Sequence, residues 1–166
     1  MRLKIISTFF IALLVGGVAA GQNTSWVRRK ISGTVHCDKP SDQQSFEVGD
    51  RPNHSFMITK GTCTWTKPVE IEGVETKTDA VTQFIEVRGN RGRGHGYVVN
   101  TLSNGDKTFV RVAGQQSEGS VEGKWTYTGG TGKFSGIKGS GTHKCKGKGD
   151  GSSDCEIEGE YELPTK

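Results

Sequence analysis

A run of basic residues is the first feature of this sequence whose types and spacing could support chemistry. Arg88, Arg91, Arg93 and His95 are separated mainly by glycines, a composition that could hold a phosphate or a single nucleic-acid strand. The run spans one short turn, however, and has only Tyr97 as an aromatic residue beside it. Because the net charge of the chain is a modest +4, we interpret the run as a solvated loop and expect no nucleic-acid partner.

Histidine and cysteine residues form a second group with the side chains that zinc prefers. The usual C-x2-4-C spacing is absent from the sequence, as are an H-E-x-x-H pair, a G-x-S-x-G elbow and the spacing of a phosphate-binding loop. We therefore predict no metal site and no cofactor, and no motif assigns a catalytic residue. The residues weighed as zinc ligands are His36, Cys37, Cys63, His143 and Cys145.

Large aromatic residues form a third group and suggest binding of a small apolar molecule. If the chain closes into a β-barrel, the large aromatic residues that could line its interior are Trp65, Trp125, Tyr97, Tyr127 and Phe134. Of these, Trp65, Trp125 and Tyr97 enter the predicted site. Arg111 is the charged strand residue that we expect inside such a lumen, and His95 is a further polar candidate. These five residues are our predicted ligand-binding set. The alternative is that the aromatic residues simply fill the core, as is usual in barrels of about eight strands, and the sequence favours this alternative.

Alternation with a period of two residues is the main signal for the elements that would position these side chains. Val121–Thr128 alternates small or apolar with polar residues and is followed by the glycine-rich turn Gly129–Gly132, which predicts a hairpin. Ser103–Asp106 contains Asn-Gly, the strongest short hairpin signal. No stretch shows helical periodicity. We predict an all-β chain, a single small antiparallel barrel of about eight strands, with strands near 26–35, 54–65, 80–88, 96–102, 107–113, 121–128, 137–146 and 154–163.

Three segments of this hairpin-rich chain resemble a known superfamily. T-G-G-T-G-K-F with the following G-I-K-G-S-G, G-T-C-T-W-T-K-P (Gly61–Pro68) and E-I-E-G-E-Y-E-L-P (Glu156–Pro164) are similar to segments of the allene oxide cyclase-like barrels. That superfamily includes plant allene oxide cyclases, dirigent proteins and a set of secreted bacterial proteins, to which the resemblance is greatest. It implies a barrel fold. The polar residues inside the plant barrels cannot be matched here one by one, so no activity follows.

The N-terminal residues predict export. Arg2 and Lys4 precede the apolar run Ile5–Val18, and Ala20 follows, which together indicate a signal peptide at 1–20 rather than a membrane anchor. Residues 21–166 would then form one domain. Without the two basic residues of the signal, 20 basic residues face 18 acidic ones. We expect the protein to be secreted or periplasmic, with no stable membrane anchor.

The even number of cysteines predicts two disulfides in an exported chain. A C-terminal hairpin with its turn at 149–151 places Cys145 opposite Cys155. The same register puts Lys144 opposite Glu156 and Lys146 opposite Asp154, which pairs opposite charges on one face. We therefore predict the disulfides Cys145–Cys155 and Cys37–Cys63.

Two functional hypotheses follow from these features. The first is a non-catalytic barrel that binds a small apolar molecule or acts structurally. The second is a cyclase- or dirigent-like enzyme that steers a reactive intermediate by shape. The sequence favours the first, because converging polar groups inside the lumen, which an enzyme needs, are not evident. A homo-oligomer formed through outer barrel faces is a further expectation.

Overall fold

The computed structural model describes residues 26–164. The predicted signal peptide, residues 1–20, lies outside the described residues. The described chain is all-β, with a single 3₁₀-helical turn at Gly132–Phe134. Its strands are β1 (Trp26–Cys37), β2 (Asp42–Glu47), β3 (His54–Lys67), β4 (Glu70–Ile71), β5 (Val74–Arg88), β6 (Arg91–Leu102), β7 (Lys107–Ser117), β8 (Ser120–Gly130), β9 (Lys138–Gly147) and β10 (Ser153–Pro164).

Eight of these strands close into an antiparallel barrel, which confirms the predicted fold class. The order is β1-β10-β9-β8-β7-β6-β5-β3, and β3 pairs back with β1. The paired residues can be followed from strand to strand around the barrel, starting at Val121 on β8. One direction ends at Ser55 and the other at Trp65, both on β3. The difference of ten residues is the stagger that allows tilted strands to close.

Two elements differ from the sequence prediction. β2 lies between the predicted strands near 26–35 and 54–65, where the sequence predicted no strand. All six of its residues are exposed, so no buried face imposes an alternation of hydrophobicity. β6 begins at Arg91, which shows that most of the predicted glycine–arginine turn is strand and that the turn itself is Gly89–Asn90.

One end of the barrel is closed by a continuous hydrophobic core. The β8–β9 connection contributes Phe134 and Ile137, and the end of β6 contributes Leu102, all of them at most 3% exposed. The β3–β5 connection adds Ile71, which is fully buried. Tyr161 joins this core and its hydroxyl donates to Glu72 Oε1 at 3.1 Å. The lumen is therefore plugged at this end by the connections themselves.

Both predicted disulfides are present and lie towards the opposite end. Cys37–Cys63 and Cys145–Cys155 each join residues that are directly opposite on neighbouring strands. The register of β9 and β10 also matches the prediction, with Lys144 opposite Glu156. Together with Val35, the cystines form a second, smaller core cluster, and Trp65 and Ile157 contact both clusters.

Trp125 occupies the middle of the barrel and explains two of the glycines around it. Its side chain is almost fully buried, and its indole N–H donates to the carbonyls of Thr142 and Glu158. A Cβ atom at Gly141 or Gly159 would collide with the Trp125 ring and with neighbouring backbone. Glycine is therefore required at both positions because the backbones and the indole approach so closely.

The described residues contain no helix with the length and hydrophobicity of a membrane-spanning segment.

Candidate functional site

A buried carboxyl group in the barrel interior is the centre of the candidate site. Asp79, on β5, is 6% exposed. Its Oδ1 accepts a hydrogen bond from Trp65 Nε1 at 2.9 Å and one from Asn100 Nδ2 at 2.6 Å. Thr108 in turn donates to Asn100 Oδ1 at 2.9 Å, which fixes the orientation of the amide. No described residue donates to the second oxygen, Oδ2.

The protonation of this carboxyl is shifted towards neutral pH. Burial raises the pKa of Asp79 to about 6, although the hydrogen bonds from Asn100 and Trp65 favour the charged form and oppose the shift. At neutral pH the group is therefore mostly a carboxylate that accepts hydrogen bonds. Slightly below pH 6 it is mostly a neutral acid that can donate one from Oδ2.

A cavity of about 80 Å³ lies beside Asp79 inside the barrel. This is about half the volume of a cavity of about 150 Å³ that accepts benzene. The space as it stands holds a few waters or one end of a small molecule, and an aromatic ring would enter only if a lining side chain moved. Most of the lining is apolar or aromatic, and its residues are Ile31, Trp65, Val69, Thr76, Asp79, Val98, Asn100, Val110, Val112, Trp125, Tyr127, His143 and Ile157.

Two further polar side chains line the same cavity. Tyr127 packs edge-on against Trp125 with ring centroids 5.1 Å apart, and its hydroxyl has no hydrogen-bond partner among the described residues. Burial raises the pKa of Tyr127 well above its ordinary value, with a contribution from the nearby Asp79 charge. Burial lowers the pKa of His143, whose Nδ1 is buried without a partner among residues 26–164. Both groups are therefore neutral at neutral pH.

An irregularity in β5 places Asp79 inside the barrel. The pairing with β6 shifts register between Thr76 and Thr78, so that the buried positions change from even numbers (Val74, Thr76) to odd ones (Asp79). Simple alternation cannot anticipate this change, and Asp79 falls just outside the strand predicted near 80–88.

One sequence signal could have revealed the site. Asn100 lies between Val98 and Leu102 on the inner face of the predicted Asn-Gly hairpin, and the hairpin places it directly opposite Thr108. A polar pair on an apolar strand face requires a buried partner. That partner is Asp79, which pairs with Asn100 across β5 and β6.

The predicted ligand-binding set is divided between the two sides of the barrel wall. Trp65 and Trp125 line the cavity. Arg111, His95 and Tyr97 are exposed on the outer face, so the expectation that they face the lumen is wrong. The inward residues of β6 have even numbers, so His95 and Tyr97 face outward. Half of the inward positions are glycines, which allow close approach of the neighbouring strands. Binding of a ligand by these outer residues stays a prediction.

A second concavity is an open groove of about 1120 Å³ on the outer surface across β8, β9, β10 and β1. Its walls carry charges of both signs that largely neutralise one another. Lys148 Nζ lies 2.8 Å from Asp154, His36 Nδ1 lies 2.6 Å from the same carboxylate, and Lys144 approaches Glu122 at 3.4 Å. The groove therefore selects no ligand by charge. Within residues 26–164, no three His, Cys, Asp or Glu side chains come together in a way that could hold a metal ion.

Comparison with solved structures finds barrels of the same architecture. The pterocarpan synthase dirigent protein GePTS1 superposes with a TM-score of 0.51 and 12% identity, covering 96% of this chain and 100% of that one. The dirigent protein PsPTS1, also a pterocarpan synthase, gives 0.50 and 12%, covering 86% and 97%. Pyocyanin demethylase gives 0.43 and 15%, covering 80% and 99%.

No protein-family description and no curated protein matches the chain. At identities this low the likeness to dirigent proteins shows the fold alone. The resemblance to dirigent-like barrels seen in the sequence is therefore confirmed at the level of fold, and the affinity to the secreted bacterial members stays a prediction.

Proposed function

We propose that this barrel binds a small, mostly apolar molecule in its lumen, with Asp79 Oδ2 as the polar anchor. The observation that carries the proposal is a buried carboxylate with one oxygen saturated by Trp65 and Asn100 and the other free of described donors beside a cavity. Oδ2 is therefore the oxygen of this carboxyl that remains available to a molecule in the cavity. The ligand is therefore a molecule with a hydrogen-bond donor, such as a hydroxyl or an amine, on an apolar body.

The composition of the cavity supports this ligand class. Ile31, Val98, Val110 and Ile157 supply an apolar surface, whereas the polar groups are few and lie close to Asp79. Binding sites for small molecules combine an apolar lining with a small number of oriented polar groups in this way. A carboxyl whose pKa is raised by burial, placed beside a cavity, is a feature that functional sites often share.

A matched pair of probes tests the proposal. Isopropanol and isobutane have nearly the same shape and are small enough for the cavity, but only isopropanol has a hydroxyl to donate. The indole N–H of Trp65 donates to Asp79, so its NMR resonance reports directly on events at the carboxyl. We expect isopropanol to shift this resonance and to bind at least tenfold more tightly than isobutane. The preference should disappear in Asp79→Asn. Binding of neither probe, or of both equally, would contradict the proposal.

A second candidate function is acid–base catalysis in the same cavity. A pKa of about 6 allows Asp79 to take up or release a proton near neutral pH, and the phenol group of Tyr127 lies in the same cavity. The barrel of the two pterocarpan synthase dirigent proteins shows that this fold can accompany the chemistry of ring compounds. Chemical conversion of a bound molecule by the native protein, absent in Asp79→Asn, would establish this function over simple binding.

We also propose that the protein is exported and that residues 1–20 are removed. The two disulfides support this location, because such bonds persist in oxidising compartments. N-terminal sequencing of the protein recovered from the secreted or periplasmic fraction tests it. Gly21 is the expected first residue, whereas an intact Met1 would contradict the proposal.

A further inference from the structure

The outer wall formed by β2, β3, β5 and β6 exposes a continuous row of aromatic side chains, which we call the aromatic wall. Phe46 lies directly opposite Phe56, and Phe84 directly opposite His95. Phe84 and His95 stack with ring centroids 5.7 Å apart. Tyr97 continues the row along β6. The exposed fractions are 55% for Phe46, 51% for Phe56, 44% for Phe84 and 54% for Tyr97.

Such a row is unusual on the surface of a water-soluble barrel. Single exposed apolar residues are common, whereas contiguous patches mark interaction surfaces. Ile58 closes the gap between Phe56 and Phe84, since it is the direct partner of Phe84 on β3. The patch also extends past the end of β2 to Val48, which is 42% exposed. Aromatic and aliphatic side chains therefore form one apolar surface.

Cationic side chains surround this surface. Arg111 is directly opposite Tyr97, and Arg93 is two residues before His95 on the same strand face. Neither arginine makes a salt bridge with any carboxylate in residues 26–164. Lys60 lies directly opposite Asp42 and adds no unopposed charge. Glu86 lies directly opposite Arg93, but its carboxylate is paired with Arg88 at 2.6 Å and with His54 at 2.9 Å.

We infer that the aromatic wall binds an anionic lipid surface. Apolar side chains that enter the interface and cations that meet lipid phosphates are the two contributions to peripheral membrane binding. A second copy of the chain is disfavoured, because a symmetric contact through this wall would bring its free cations face to face. A nucleic-acid strand is also disfavoured, since the convex barrel wall has no groove that could follow its backbone. In addition, Ile58 and Val48 are aliphatic and cannot stack with bases.

The inference is independent of the lumen and goes beyond the proposed function. The opposite wall provides the internal contrast. Across β9 and β10, Lys144 faces Glu156 and Lys146 faces Asp154, so opposite charges alternate there. A surface of that kind has no net attraction to an anionic bilayer. The chain is therefore asymmetric, with one wall suited to lipid and one suited to water.

Co-sedimentation with vesicles tests the inference. We expect the processed protein to bind vesicles of phosphatidylglycerol and phosphatidylcholine in equal parts, and to bind pure phosphatidylcholine at least tenfold more weakly. Binding should weaken with salt, because the attraction is partly electrostatic. The N terminus of every preparation is verified by mass spectrometry. All variants share it, so differences between variants report on the wall and not on the N-terminal segment.

Two pairs of variants separate the wall from the rest of the surface. Arg93→Glu/Arg111→Glu should weaken binding to the anionic vesicles at least tenfold, since each cation near an anionic surface contributes about fivefold or more. Phe56→Ser/Phe84→Ser should weaken it similarly. The matched controls are Lys30→Glu/Lys146→Glu for charge and Val27→Ser for apolar exposure, because these residues are exposed on other strands. Neither control should change binding more than about threefold. Circular dichroism checks that each variant is folded.

Any one of several outcomes would overturn the inference. They are failure to bind anionic vesicles, equal binding to both vesicle types, equal weakening by the wall variants and their controls, and a self-association that the wall variants abolish while vesicle binding is absent in the parent protein. Analytical ultracentrifugation in the absence of lipid detects the last of these. A single-stranded DNA oligomer bound in place of vesicles would likewise overturn it.

Discussion

At the scale of single residues, Asp79 links stability to function. Its two hydrogen-bond donors, Trp65 and Asn100, hold it in one orientation, yet burial makes its charged form costly. Natural proteins retain such groups at sites where they act, and give up some stability there. If replacing this carboxyl by its isosteric amide makes the protein more stable, the fold does not require the carboxyl. Its presence is then better explained by ligand binding.

The pH dependence of stability tests this trade-off. The pKa of Asp79 rises from an ordinary value of 3.8 to about 6 on folding, so the folded state binds the proton more tightly than the unfolded state. Protonation of Asp79 therefore stabilises the fold fully below about pH 4. This contribution is lost as the pH rises through about 6. The difference amounts to about 3 kcal/mol in the free energy of unfolding.

We expect Asp79→Asn to match the parent protein at pH 4 and to exceed its stability by up to about 3 kcal/mol at pH 7. Urea unfolding at both pH values measures this, and Glu156→Gln, an exposed carboxyl on β10, is the control. An Asp79→Asn variant that is less stable at both pH values would show that the charge itself supports the fold.

Trp125 has a structural role at the same scale. Its ring fills the centre of the barrel, and its indole N–H satisfies two backbone carbonyls. We expect Trp125→Ala to lower the free energy of unfolding by about 3–5 kcal/mol, through lost burial and an unfilled cavity. Chemical denaturation measures the loss. A change near zero would mean that the indole lines empty space and contributes no packing.

At the scale of elements, glycines in β9 and β10 decide how closely the strands approach. A Cβ at Gly159 would meet the Trp125 ring and the carbonyl of Ser140. We expect Gly159→Ala to destabilise the protein by about 1–3 kcal/mol, because backbone cannot yield as a side-chain tip can. Gly149, where a Cβ would meet nothing within 4 Å, is the control, with Gly149→Ala within about 0.5 kcal/mol of the parent. Equal effects at the two positions would contradict the close approach.

The two disulfides each join a pair of neighbouring strands and close chain loops of different length. Cys37–Cys63 spans 26 residues and Cys145–Cys155 spans 10. Loop-closure entropy gives a stabilisation of about 3.5 kcal/mol for the first and about 2.7 kcal/mol for the second. Replacing each pair by serine and measuring urea unfolding should reveal losses in that order. A larger loss from the C-terminal pair would show that local packing, and not chain entropy, sets their contribution.

The elements also show what could be predicted from the sequence and what could not. The β9–β10 register followed from charge complementarity across a hairpin. A shift of one residue would take Lys144 away from its position opposite Glu156. Asp79 was missed because the register shift between Thr76 and Thr78 reverses which side chains face inward. Arg111 was placed in the lumen because its strand neighbours are apolar, but only pairing geometry decides which of the two strand faces is inside.

At the scale of the whole molecule, the closed barrel assigns a different chemistry to each region. Connections and core plug one end, the lumen holds a carboxyl with a free oxygen, and the outer wall of β2, β3, β5 and β6 is apolar and basic. The eight-stranded fold itself was predictable from alternation and turn glycines. Which strand residues face the lumen and which face outward was not predictable, since this depends on how all ten strands pair.

Native mass spectrometry of the protein purified without denaturation from the cells that make it tests the central claim most directly. The account predicts that the parent protein, with both disulfides intact, retains a small molecule that carries a hydroxyl or an amine, and that Asp79→Asn purified in the same way does not. A parent protein whose mass is that of the bare chain would contradict the claim that the lumen is a binding site. Retention of the same molecule by Asp79→Asn would contradict the role of Asp79 as its anchor.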